Sequence, residues 1–146
     1  MKNLRFAVFA LVLSFWIPAH AHHLAIVVHQ DNHVNTVTST GLAKIFKSET
    51  KKWPDGNDVV VVMNRNSPGA LRVVERLAKI PAREAGAFIA AHKSSFVLAE
   101  SDADVLRIVS GTPGALGLVD VHSIDAKVRV VKVDGKLPLE KDYLPD

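Results

Sequence analysis

Cysteine is absent from all 146 residues. That excludes disulfides, thiolate metal sites, a cysteine nucleophile and a lipid-bearing N-terminal cysteine. No apolar run reaches the roughly twenty residues that a membrane span requires; the longest, residues 6–17, has twelve. The sequence has no Gly-x-Ser-x-Gly elbow, no Walker loop and no dinucleotide fingerprint, and Gly111, Gly114 and Gly117 are wrongly spaced for the last of these. Internal repeats and low-complexity tracts are missing too. Nor does one sign of charge dominate. Lysine and arginine total 18 against 15 acidic residues, and setting aside Lys2 and Arg5 lowers the net charge to +1. Such a balance gives no reason to expect nucleic acid or an acidic membrane surface as a partner.

What is present is a globular composition, 48% hydrophobic and 23% charged, at a length suited to one domain. A domain of this size buries roughly two-thirds of its unfolded surface and folds without covalent staples. Residues 1–21 read as an address. Lys2 and Arg5 form a positive region, the apolar run follows, Pro18 breaks it, and Ala19-His20-Ala21 supplies the small residues that a signal peptidase reads. Cleavage there leaves residues 22–146 as a single exported domain, periplasmic in a Gram-negative source.

Within that domain, Leu24-Ala25-Ile26-Val27-Val28-His29 and the valine run from Val59 to Met63 are apolar on consecutive positions. Both faces of such strands are covered, as in an α/β sheet. Ser39 or Thr40 is placed to cap a short helix over Leu42, Ala43, Ile45 and Phe46. Ser67 suits the N-cap and Pro68 the first position of a helix reaching about Ile80. Pro81 starts another, with Ala85, Phe88, Ile89 and His92 at helical spacing, and a further helix covers about Asp102 to Ser110. Strands are expected over residues 115–121 and 128–133, with a surface tail beyond Gly135. The resulting order, β-α-β-α-α-α-β-β, predicts a layered α/β sandwich.

Three segments in register carry a resemblance. They are Gly41-Leu42-Ala43-Lys44-Ile45-Phe46-Lys47 with Trp53 close behind; Asn64-Arg65-Asn66-Ser67-Pro68-Gly69-Ala70 after the valine strand; and Gly111-Thr112-Pro113-Gly114-Ala115-Leu116-Gly117-Leu118-Val119. Together they resemble phosphate ABC transporter substrate-binding proteins, of the type 2 periplasmic binding protein fold. The resemblance implies a mixed, mainly parallel sheet like one lobe of such a protein, and a phosphate-binding role without catalysis or cofactor. The family's Ser-Gly-Thr helix start is here Ser67-Pro68-Gly69-Ala70, which loses the threonine hydroxyl and one amide, and the family's tyrosine after the last glycine is Leu118.

The chemistry at this helix start stands without the resemblance. A helix N-terminus presents unpaired amides and a partial positive charge that attract phosphate or sulfate. Gly69 permits close approach, and Arg65 can add a charge-assisted contact. Arg65, Ser67, Gly69 and Ala70 are therefore the candidate oxyanion site. The competing reading has Ser67 capping its own helix and Arg65 solvated. A homodimer, or a membrane transporter or sensor, is a partner that could supply a missing wall. A ligand-free lobe docking on such a membrane protein is the alternative function.

His22, His23, His29 and His33 cluster near the expected mature start. An N-terminal histidine chelates copper(II) through amine and imidazole, which makes these four the candidate metal ligands. Their spacing matches no structural zinc pattern, and frayed terminal residues are the simpler reading. Asp120 and His122 follow a strand without visible partners, and Lys44, Lys47, Lys51 and Lys52 form a small basic patch.

Overall fold

A computed structural model describes residues 23–145. The expected signal segment and His22 lie outside the described residues. The central sheet has five strands in the order β4-β3-β5-β1-β6, formed by β1 (Leu24–His29), β3 (Val60–Asn64), β4 (Phe96–Ala99), β5 (Ala115–Asp120) and β6 (Val128–Val130). β3 pairs in parallel with both β4 and β5, while β1 pairs antiparallel with β5 and β6. Four strands therefore run one way and β1 alone runs the other, the mixed, mainly parallel sheet that was expected.

Both faces are covered, which is why the strands are apolar on consecutive positions. Ile26, Val28, Val61, Met63, Leu116 and Leu118 pack beneath α1 (Ser39–Phe46), α2 (Pro68–Ala78) and α3 (Ala82–Ala91). Val27, Val62, Val119 and Ala115 meet α4 (Asp102–Gly111) on the opposite side through Val105, Leu106 and Val109. The result is a three-layer α/β/α sandwich.

Several boundaries differ from expectation. The N-cap of α1 is Thr38, whose hydroxyl accepts the Gly41 N–H at 3.0 Å; Ser39 and Thr40 already lie inside the helix. The Ser39 N–H donates instead to Asp134 Oδ1 at 2.9 Å, and this bond holds the Asp134 carboxyl below its ordinary pKa. α2 stops at Ala78 because Lys79 turns left-handed, at φ 55°. β4 was not foreseen: four residues are too few for periodicity to speak, and pairing with β3 makes them a strand. β5 ends at Asp120, with Val121–Ser123 forming a 3-10 turn.

The expected strand over 128–133 is broken at Val131. β6 stays with β1, while β7 (Lys132–Val133) leaves to pair in parallel with β2 (Thr36–Val37). At the break, Val131 N–H still reaches Ile26 O at 2.9 Å. The return bond is replaced by a tyrosine: Ile26 N–H donates to Tyr143 Oη at 3.1 Å, and Tyr143 Oη–H donates to Val131 O at 2.6 Å. The tail, expected on the surface, is thus pinned by a side chain only 4% exposed. Burial pushes the Tyr143 hydroxyl up to about 12.

Candidate functional site

The loop that joins β3 to α2 leaves the carboxyl end of the sheet, where open α/β sheets place their ligands. Its shape follows from asparagine. Asn64 Oδ1 accepts the Asn66 N–H at 2.9 Å, and Asn64 O accepts the Ser67 N–H at 3.1 Å, so the chain turns sharply into the helix. Asn64 Nδ2 donates to Asp102 Oδ1 at 3.0 Å. The other oxygen of Asp102 accepts from the Asp120 N–H at 2.9 Å and the Ser123 hydroxyl at 3.3 Å. Asp102 therefore ties together the ends of β3 and β5 and the start of α4.

The four candidate oxyanion residues are not equivalent. Arg65 is anchored by its N–H to Ala99 O at 2.9 Å, and its guanidinium is half exposed but faces a carboxylate, with Nη1 3.0 Å from Glu100 Oε1. Asn66 Nδ2 holds the same residue through Glu100 O at 2.9 Å. Ser67 caps α2, accepting the Ala70 N–H at 3.2 Å, which leaves its own hydroxyl proton to be donated. Ala70 is fully buried and its amide is engaged by that cap. Pro68 has no amide to offer. Among the described residues no acceptor meets the Gly69 N–H.

Arg65, Ser67 and Gly69 thus share one corner, but two grooves divide their surroundings. Gly69 lies in an open groove of about 440 Å³ beside His23, Leu24, Arg72 and Arg76. A Cβ on Gly69 would stand 3.3 Å from Leu24 Cδ1. Arg65 lines a different, largely apolar groove beside β4. The residue that sequence reasoning missed is Glu100. It lies 35 positions from its arginine, and only the parallel pairing of β3 with β4 brings the two together.

The described histidines are dispersed, and His22 lies outside the described residues. His29 ends β1 and its Nδ1 accepts the Asp31 N–H at 3.1 Å; His33 is exposed, and His23 borders the Gly69 groove. Among the described residues no group of three His, Cys, Asp or Glu side chains is placed to hold a metal ion. His122 does have a partner, with Nδ1 2.9 Å from Asp120 Oδ1. His92 packs on the Phe88 ring at a centroid distance of 4.3 Å. Of the basic patch, Lys52 is paired with Asp58 at 2.7 Å, while Lys44 and Lys47 border a groove with Arg76 and Lys79. No helix among the described residues is long and apolar enough to cross a membrane.

Comparison with known proteins places the fold. An ABC-type phosphate transport receptor from Vibrio cholerae superimposes with a TM-score of 0.61 at 24% identity, over 80% of this chain and 48% of its own. A Clostridium perfringens protein, classed as a phosphate ABC transporter substrate-binding protein and solved with bound phosphate, gives 0.64 at 22% identity, over 80% of this chain and 46% of its own. PstS from Borrelia burgdorferi gives 0.63 at 20%, over 80% and 49%. The chain therefore spans about half the length of these structures, and at such identities the likeness is one of fold. A family model described as the PBP superfamily domain matches residues 15–145. With nearly its whole length matched by that model and the expected lobe architecture in place, the chain belongs to the PBP superfamily domain family.

Proposed function

We propose that this protein is an exported, non-catalytic binding lobe that takes phosphate or a similar small oxyanion at the β3–α2 corner. The reading rests on one observation: a half-exposed guanidinium, a hydroxyl with a proton to donate and an unengaged amide lie within five consecutive residues where α2 begins, although Arg65 and Gly69 border different grooves. Arg65 supplies charge, Ser67 a hydroxyl donor and Gly69 a backbone donor, while Ala70 fixes the serine rotamer through the cap. The helix dipole adds to the attraction.

Glu100 opposes it. Its ion pair with Arg65 joins side chains 53% and 67% exposed, and exposed pairs of this kind contribute about 0–1 kcal/mol. A dianion can displace such a carboxylate. The corner is also one-sided and wet, so we expect a dissociation constant of ~1 mM or weaker. Periplasmic location and delivery to a membrane transporter or sensor belong to the same proposal.

Calorimetric titration with phosphate, sulfate and molybdate tests it. Heat should be seen at millimolar phosphate and should vanish in Arg65→Ala and in Ser67→Ala. Glu100→Gln should tighten binding severalfold, with a gain that shrinks as salt is added. No heat from the unaltered chain at millimolar ligand removes the oxyanion reading.

A further inference from the structure

We propose that the cationic groove between α2 and the tail docks an acidic, extended segment of a partner protein, with carboxylates of that segment on Arg72 and Arg76. These two arginines stand apart from the others. Among the described residues, Arg65, Arg83 and Arg107 each face a carboxylate, and Arg129 donates to Asn32 O. Arg72 and Arg76 are exposed and have no carboxylate or carbonyl partner among the described residues.

The helix by itself accounts for only one of them. Arg76 lies in the last turn of α2, where a cation offsets the helix dipole. Arg72 lies in the first half of the helix, where a cation gains nothing from that dipole. Four positions apart, the two guanidiniums stand one turn above each other and repel. An anion shared between them relieves that repulsion.

The surroundings select the kind of anion. Both arginines line the Gly69 groove together with Leu24, Val73 and Leu139. Leu139, at 66%, is the most exposed large apolar side chain among the described residues. Arg76 also borders the neighbouring groove, which Lys44, Lys47 and Lys79 line. From Arg72 to Lys79 the helix rises about 10 Å, roughly the span of three residues of extended chain. An inorganic oxyanion covers one end of such a row and not its length. The row is interrupted as well, because Glu49, Glu140 and Asp142 line the same two grooves. A flat anionic lipid surface or a uniformly charged nucleic-acid backbone would press against those carboxylates. A peptide carries its carboxylates at intervals, turns amides toward the acidic positions between them, and lays an apolar side chain on Leu139. The near-balance of charge over the whole sequence, 18 basic residues to 15 acidic, conceals this face. The docking proposal does not depend on the oxyanion reading.

Fluorescence anisotropy of a labelled peptide of repeating Glu-Glu-Leu tests it, alongside vesicles of phosphatidylglycerol and phosphatidylcholine. We expect saturable binding at micromolar chain in low salt, weakened about tenfold by ~0.3 M salt and unaffected by millimolar inorganic phosphate. Arg72→Glu combined with Arg76→Glu should abolish binding, and Leu139→Ser should weaken it severalfold, with unchanged circular dichroism confirming the fold. Lys93→Glu combined with Lys127→Glu makes the same change in net charge at exposed lysines elsewhere and should bind like the unaltered chain. A chain that ignores the peptide overturns the proposal. So does equal loss in the lysine variant, which reduces the effect to net charge, or competition by phosphate, which moves the peptide to the β3–α2 corner. Tighter capture by the vesicles, lost with the same two arginines, assigns the face to a membrane and overturns it too.

Discussion

Gly114→Ala is expected to destabilise the folded state severely. A Cβ on Gly114 would lie 1.8 Å from Asp58 O and 2.9 Å from Asp58 C, which are backbone atoms that no rotamer change can move aside. The Gly114 carbonyl also accepts the Trp53 Nε1–H at 2.9 Å and the Val60 N–H at 3.2 Å, so the loops on either side cannot part without breaking both bonds. Ordinary overpacking costs about 1–3 kcal/mol where side chains can shift. Here the obstacle is main chain, and we expect a loss above ~4 kcal/mol, a large share of the roughly 5–15 kcal/mol by which domains are stable. Soluble yield and urea denaturation report it. Gly111→Ala is the control, because a Cβ there meets nothing within 4 Å; its midpoint should equal or slightly exceed the original. A Gly114→Ala chain that unfolds at the original midpoint would refute the close approach.

Tyr143→Phe should have the next largest effect. Removing one hydroxyl leaves Ile26 N–H and Val131 C=O buried without partners at the break between β6 and β1. Orphaning buried polar groups costs about 1–3 kcal/mol, and with two affected we expect about 2–3 kcal/mol, lowering the melting temperature by roughly 10 °C. The aromatic ring stays in place, so the loss reports the hydrogen bonds and not a cavity. The same hydroxyl predicts an alkaline limit. Its pKa rises from the ordinary 10 to about 12 on folding because burial disfavours the phenolate. A raised folded-state pKa means that this contribution is fully present below pH 10 and is lost as pH climbs from there through 12. Denaturation midpoints measured across that window should fall for the unaltered chain, and the part due to Tyr143 should be missing from Tyr143→Phe.

Much of the architecture was legible because two-sided burial leaves a mark that one residue type can carry. Consecutive valines in β3 and the run Ala25–Val28 in β1 announced covered strands. Ser67 followed by Pro68 announced the start of α2, and Ser67 does cap it. These signals are local: a cap and its amide lie three positions apart. β4 escaped because its identity as a strand depends on β3, more than thirty residues earlier. The role of Tyr143 escaped for the same reason, since its partner amide lies 117 positions away.

The candidate site divides along the same line. Its helix start, arginine and glycine were readable because a turn, a cap and the charge beside them occupy seven consecutive residues. What tempers that charge was not. Glu100 reaches Arg65, Asp102 braces Asn64, and Gly69 opens onto a groove apart from the one Arg65 lines, all because β3, β4 and β5 end side by side.

By itself, then, the order of residues determined the helices, the strands β1, β3 and β5 that are covered on both faces, and where a helix presents its amides. Those properties follow from torsional preference and from apolar periodicity, which act over a few residues. Tertiary structure alone decided that β1 runs against its neighbours, that a tyrosine hydroxyl completes a broken ladder, that Gly114 must lack a side chain, and that a glutamate shadows the arginine. Each of these depends on groups distant in the chain coming within a hydrogen bond or a van der Waals radius of one another, and nothing local encodes that distance.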